Sequence, residues 1–379
     1  MLHSAPKSWP QAEDAVSATH TADLSAPAAK STPGPPAWLP RYLPELQGLR
    51  GIAVLAVVVY HCHPLLVGTP LYGASLWGWA GVNLFFVLSG FLITMILLEA
   101  RGRLHYFRNF YARRALRIWP VYLLLLLMCY SVPAWFLGDT LAHQTHWRTL
   151  AGYALFLQNL RHTPLPGTLG PTWSLAIEEQ YYLLWAPLVW LLGARRSVLA
   201  AVLGGLLLLS PLLRVAHPHW LTSTHTLIHL DGIALGSLLA VALLTLRLQR
   251  QTWLGVGCAA AIAGWLATAT IAAGTAFLDS ALALLFAGLV LVAIAGGGAR
   301  LLAPLRRGPL AFYGTISYGL YMTHILVFVY FGSFSARLTQ MGTAGNLRIV
   351  LLRLVACTLA ATALWYGFES QILKLKARF

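Results

Sequence analysis

Gln47-Gly48-Leu49-Arg50-Gly51-Ile52-Ala53-Val54-Leu55-Ala56-Val57-Val58-Val59-Tyr60-His61-Cys62-His63 is apolar almost throughout, yet it holds a cation near its start and imidazoles at its end. Arg50 and His61 lie eleven residues apart, about three helical turns plus ~20°, so on a helix both side chains share one face. The rise between them is roughly 16 Å, about half of a ~30 Å hydrocarbon core. Charged and titratable groups on one stripe of a membrane helix are costly unless they face a polar interior. Two readings stay open on this stretch alone. Arg50 snorkels to an interface and His61 is a satisfied packing residue, or the two mark a polar shaft with a charge-binding group at one end and an acid–base group further in.

The rest of the chain has the same character. Hydrophobic residues make up 58% and charged residues 10% of its 379 positions, against about 25% charged in soluble domains; the mean hydropathy is +0.68. This composition is that of an integral membrane protein, and nothing in it points to nucleic acid. Apolar segments at roughly 49–67, 80–98, 118–137, 172–192, 197–216, 228–246, 252–274, 280–297, 310–332 and 348–368 are near the length a bilayer needs. The expected fold is all-α, a polytopic membrane bundle of about ten transmembrane helices. Segment 148–160 is short for a span and is expected to be re-entrant or interfacial. Residues 1–40, rich in Ala, Ser, Thr and Pro with no signal-like apolar run, are expected to be a disordered polar extension. The four cysteines, Cys62, Cys129, Cys258 and Cys357, lie in apolar runs without metal or redox spacing and are expected to be buried thiols.

The net charge of +15 comes from 26 Lys+Arg against 11 Asp+Glu. With a cytoplasmic start, the even-numbered spans end inside, and each is followed by cations: Arg101 to Arg117, Arg195 and Arg196, Arg247 and Arg250, Arg300 to Arg307, and Lys374 to Arg378. The outer connections hold few, Arg148, Arg161 and Arg337. The positive-inside rule then puts both termini in the cytoplasm. Arg214, Arg348 and Arg353 fall in outer parts of expected spans and have no role at this level.

Among the polar residues inside spans, Glu178 and Glu179 follow Thr172-Trp173-Ser174-Leu175; they read as interfacial carboxylates or as site residues. Asp231 reads equally as an interfacial cap. Tyr318, Tyr321 and His324 recur every three residues, near one helical face, which suits a polar helix contact as well as a site. Arg114 and Arg117 would share a face and clamp a phosphorylated ligand bidentately, with lipid head groups as the competing partner. Residues 81–92 mix small and polar side chains that permit close packing or a helix break. His217, His219, His225 and His229 cluster on the outer side, but no carboxylate or cysteine pattern supports a metal, and none is expected.

Together these motifs make the chain resemble the membrane acyltransferase-3 family over roughly residues 42–370. The carriers are Leu49-Arg50-Gly51 with His61, residues 81–91, Phe110 to Pro120 with Arg113, Arg114 and Arg117, Trp173-Ser174-Leu175 with Glu178, and Ser317-Tyr318 with Tyr321 and His324. The resemblance implies an enzyme moving an acyl group, usually acetyl, from cytoplasmic acyl-coenzyme A to a hydroxyl of an extracytoplasmic carbohydrate. It implies His61 as general base or acyl carrier, Arg50 along the donor path and Glu178 orienting or charge-balancing the site. Arg114 and Arg117 would be on the coenzyme A phosphates, with Trp173, Ser174, Tyr321 and His324 at the substrate. On this reading residues 1–40 form a cytoplasmic extension, 41–373 the transmembrane acyltransferase domain and 374–379 a basic cytoplasmic tail, in a cell inner membrane. Asn83 stands where many members carry Asp, so no acidic role is assigned there. The hydrolase-like domain of some members is not expected, which leaves transfer to the membrane domain or to a separate periplasmic or glycosyltransferase partner. O-acylation of a small glycosylated metabolite or lipid is the alternative activity, and a membrane transporter the alternative class.

Overall fold

Helix α1 covers Pro44–Tyr60. Pro44 at its first turn lacks only an N–H that would be unsatisfied there anyway. The helix stops at Tyr60, short of the expected end at 67, and a 3-10 turn, His63–Leu66, follows. The cause is local: the Pro64 ring cannot follow the Tyr60 carbonyl in a helix, and His63 Nδ1–H donates to that carbonyl instead at 2.7 Å. His61 therefore sits at the helix end and not within it.

The computed structural model describes residues 35–40, 42–131, 147–160, 167–271, 275–339 and 342–379. All regular structure among them is helical. After α1 come α2 Gly81–Ala100, α3 Tyr106–Ser131, α4 Trp147–Ala154, α5 Thr172–Leu192, α6 Arg196–Ala216 and α7 Leu230–Thr245. Then follow α8 Arg250–Thr270, α9 Leu278–Ala295, α10 Pro309–Thr315, α11 Ser317–Thr339 and α12 Gly342–Leu364. The extension expected over 1–40 lies, apart from 35–40, outside the described residues.

Among the described residues, five helical stretches are long and apolar enough to cross a membrane: Tyr72–Ala100, Arg196–Ala216, Arg250–Thr270, Leu278–Ala295 and Gly342–Arg378. The pair Arg300–Thr315 and Ser317–Phe331, bent by 51°, makes a sixth if counted as one broken span. The expected single span 310–332 is thus bent, as a broken span or a re-entrant loop is. Other expected spans are shorter or more polar: α1 has 17 residues and α7 has 16, while α5 carries Glu178, Glu179 and Gln180. Helix α4 has eight residues, about 12 Å of rise, too short to cross. Gln158 and Asn159 just beyond it are buried, the first donating to the Thr172 carbonyl at 3.0 Å and the second to Thr226 Oγ1 at 2.8 Å.

Close backbone contact holds the bundle together. A Cβ at Gly90 would run into the Ile233 carbonyl, and one at Gly236 into the Val87 carbonyl. Helices α2 and α7 therefore cross at small residues, as membrane helices that lack a hydrophobic driving force must. The 81–92 stretch is an unbroken helix, so its small residues serve packing. One arginine from each of three expected inside loops caps a neighbouring helix. Arg101 Nε donates to Trp190 O at 3.0 Å, Arg250 Nε to Ala295 O at 2.6 Å, and Arg196 to Leu244 O. The ends of α5, α7 and α9 thus lie together at one end of the bundle, where cations satisfy their last carbonyls.

At the other end, Arg214 of α6 donates to Asp231 of α7 at 2.7 Å and to Ser280 of α9 at 2.9 Å, and to the carbonyls of Ile228 and Ala276. Asp279 completes the group, 3.5 Å from Arg214 and accepting from Asn83 Nδ2 at 3.2 Å. Arg214, without a role from sequence, and Asp231, read there as an interfacial cap, are the ion pair that ties three helices. Arg353 lies 4.7 Å over the Phe328 ring. Cys62, Cys129 and Cys357 are buried as expected, but Cys258 is exposed; it lies on a face of α8 that other helices do not cover.

Candidate active site

Two helices frame the site. Arg50 of α1 donates to Ser317 Oγ of α11 at 3.1 Å. Further along both, His61 Nδ1 meets His324 Nε2 at 3.3 Å, with ring centroids 4.8 Å apart. The pairings 50–317 and 61–324 advance in the same sense, so α1 and α11 run parallel. The first and ninth of the ten spans expected from sequence would also run in the same sense. The break between α10 and α11 falls beside Arg50: Gln47 Nε2 donates to Thr315 Oγ1 at 3.2 Å, and a Cβ at Gly314 would strike the Gln47 carbonyl.

The histidine pair has a determinate protonation pattern. Carbonyl oxygens only accept, so each ring nitrogen facing one carries a hydrogen. His61 Nδ1 lies 2.9 Å from Val57 O, and His324 Nδ1 lies 2.7 Å from Tyr321 O. Neutral His324 then keeps a lone pair at Nε2, which accepts a share of the His61 Nδ1–H. His61 Nε2 makes no hydrogen bond among the described residues and is left as the basic nitrogen. His324 is fully buried and His61 only partly so.

Glu178 accepts from Ser89 Oγ and from Tyr182 Oη, each at 2.8 Å. Arg114 lies 4.3 Å over the Tyr182 ring, a cation–π contact. Arg114 and Arg50 both act on the Glu178 charge, but among the described residues neither closes an ion pair with it. Arg117 feels Arg114 and Glu369. Ser174 Oγ and Tyr321 Oη are 2.8 Å apart, and Tyr321 also donates to Pro171 O at 3.1 Å. Trp173 packs on His229, ring centroids 4.9 Å apart, and edge-on to Phe86. Pro187 in α5 has no N–H for the Leu183 carbonyl, and Tyr111 Oη donates to it at 2.9 Å, locking α3 to α5.

The expected site residues therefore fall into linked groups: Arg50, Arg114, Arg117 and Glu178 in one, His61, His324, Tyr321 and Ser174 in the other, with Trp173 flanking Ser174. Sequence reasoning gave no role to Ser317 and Ser89, though both lie in the quoted motifs, and missed Tyr182; these are the hydroxyls that hold Arg50 and Glu178. It also missed Glu369, one residue beyond the expected boundary of the last span; a carboxylate at that edge was the available signal. Among the described residues no three His, Cys, Asp or Glu side chains gather as a metal site.

A family model described as an acyltransferase domain matches residues 43–369. Over 191 residues the chain is 35% identical to YrhL of Bacillus subtilis, provisionally named a peptidoglycan O-acetyltransferase; the match covers 45% of this chain and 28% of that protein. Over 158 residues it is 32% identical to the peptidoglycan O-acetyltransferase OatA of Listeria monocytogenes, covering 38% of this chain and 24% of that protein. A Staphylococcus aureus protein provisionally named an O-acetyltransferase is 32% identical over 157 residues, with shares of 38% and 24%. The matches thus span about a quarter of the length of these relatives. No solved structure matches.

Proposed function

The chain belongs to the acyltransferase-3 family, and from that premise we propose that this membrane enzyme moves an acetyl group from acyl-coenzyme A to a hydroxyl of an envelope carbohydrate. The peptidoglycan acetylation named for its relatives makes a peptidoglycan-type sugar the first acceptor to test. The observation that carries the chemistry is the free Nε2 of His61, whose Nδ1–H is held by Val57 O and His324.

In this reading His61 Nε2 takes the proton of the acceptor hydroxyl as its oxygen attacks the thioester carbonyl. The carbon–sulfur bond breaks and coenzyme A leaves as a thiol, protonated by the imidazolium. His324 accepts from Nδ1–H throughout and stabilises the charge that forms on His61. Arg114 and Arg117 hold donor phosphates, whose planar bidentate recognition suits guanidinium. Arg50 lies between them and His61, along the path that the pantetheine arm would take. Glu178, bonded to two hydroxyls, orients Tyr182 beneath Arg114. Trp173, Ser174 and Tyr321 lie at the acceptor side. The basic connections support a reading in which both ends of this chain face the cytoplasm.

The test is transfer of label from acetyl-coenzyme A to envelope carbohydrate in membranes holding wild type or His61→Ala at equal protein levels. General base catalysis contributes about 10²–10⁴-fold, so the variant should fall to background. Equal labelling in both would remove His61 from the chemistry.

A further inference from the structure

Beyond α12 the chain does not simply leave the bundle. A π-helical turn, Trp365–Glu369, leads into short turns Ser370–Leu373 and Lys374–Arg378. Such turns interrupt helices rarely and often at functional sites. They pack back on α3, and Arg108 of α3 lies 5.9 Å over the Phe379 ring. This return brings two side chains to Arg114 and Arg117 that the donor reading does not use.

Glu369 is 3% exposed, and its Oε2 has no hydrogen-bond partner. Lys376 is half-buried and makes no hydrogen bond or ion-pair contact among the described residues. Its charge acts on Arg117, Arg114, Glu369 and Arg113. Arg114 and Arg117 are half-buried too, and neither donates to any acceptor among the described residues; Arg114 Nε is buried and unpartnered. Each guanidinium carries five N–H donors and the ammonium three. Three half-buried cations that donate to no acceptor among the described residues thus stand at the mouth where the C-terminal turns pack on α3, and the Glu369 carboxylate acts on both Arg117 and Lys376. Leaving charged donors unmade costs free energy. A ligand with several anionic oxygens removes that cost.

We infer that Lys376 joins Arg114 and Arg117 as a third cation for a ligand carrying several phosphate groups, and that Glu369 is the counter-ion of this mouth when no such ligand is bound. The inference rests on the reading of acyl-coenzyme A as donor, whose nucleotide end bears a diphosphate and a further phosphate. Phosphates of anionic lipids share this chemistry and are the other source.

Binding of coenzyme A, and of phosphate-free pantetheine, to the full chain in zwitterionic nanodiscs separates the possibilities. Losing a hydrogen bond to a charged group weakens binding by about tenfold or more. Lys376→Ala should therefore weaken coenzyme A by about tenfold or more and leave pantetheine unchanged, while Lys376→Arg stays near wild type. Equal loss for both probes would assign Lys376 a structural role, and no loss for either would remove it from the site; each overturns the inference. Unchanged coenzyme A binding, with less anionic lipid co-purifying with the variant, would reassign the mouth to lipid and likewise overturn it. Wild type that fails to bind coenzyme A at all would instead overturn the donor reading itself.

Discussion

The His61–His324 pair places a hydrogen on a particular atom, which makes it directly testable. Nitrogen-15 spectra of histidine-labelled protein should show His61 protonated at Nδ1 and bare at Nε2; the reverse tautomer would end the base assignment. His324→Ala removes the acceptor of the Nδ1–H bond, a bond that strengthens as His61 gains charge. With about 1.5–3 kcal/mol in such a bond, kcat should fall roughly 10- to 100-fold with KM for acetyl-coenzyme A little changed. A comparable rise in KM would place His324 in donor binding instead. At the opposite mouth, Glu369→Gln should lower the melting temperature of the ligand-free protein, because the cations lose their counter-ion, and added coenzyme A should restore much of it by linkage. A melting temperature insensitive to the change would show that Glu369 carries no such charge balance.

Among the elements, the joints are of two kinds, and they should fail differently. Arg214 and Asp231 are 11% and 3% exposed at their side chains. Breaking a buried pair from one side costs about 3–5 kcal/mol, because the partner charge stays behind. Arg214→Ala should accordingly give little folded protein in detergent, judged by size exclusion and thermal melting. The α2–α7 crossing depends on absent side chains. Gly90→Leu would force a side chain into the Ile233 carbonyl and should also abolish folding. Gly204 on α6 has nothing within 4 Å of a Cβ position. Gly204→Ala should be tolerated, gaining about 0.5–1 kcal/mol from the lost flexibility of a mid-helix glycine. Similar melting of the two glycine variants would mean that α2 and α7 are not in backbone contact.

For the whole molecule, the arginines at the ends of α2, α5 and α7 do two things at once. They supply the charge asymmetry of an oriented membrane protein, and they satisfy the terminal carbonyls of the next helix end. Reporter fusions after Arg103, Arg195 and Arg247 should all report the cytoplasm, and fusions in the 217–224 loop the opposite side. A split among the first three would break the alternation. The parallel course of α1 and α11 also means that one axis carries Arg50 and Ser317 at one level and His61 and His324 at another. Donor phosphates and acceptor hydroxyl would then approach the thioester from opposite ends, an arrangement suited to a donor and an acceptor kept on different sides of a membrane.

The sequence by itself determined the class of fold and the approximate course of most helices, and it proposed the residues of the site. Those properties follow from local hydropathy, from the bilayer's demand for satisfied backbone groups and from charge asymmetry between loops. It could also have ended α1 at Pro64, a local rule. The tertiary structure alone decided which polar groups meet. Arg50 finds Ser317 and His61 finds His324 across more than 260 residues, and Glu369 and Lys376 return to α3 from the far end of the chain. Helical periodicity specifies a face, not the partner of that face, and a buried donor takes whatever acceptor packing brings to it. The 51° break between α10 and α11 was not read from the segment 310–332 either; beside it Gly314 packs on the Gln47 carbonyl of α1, a contact that only the tertiary structure reveals.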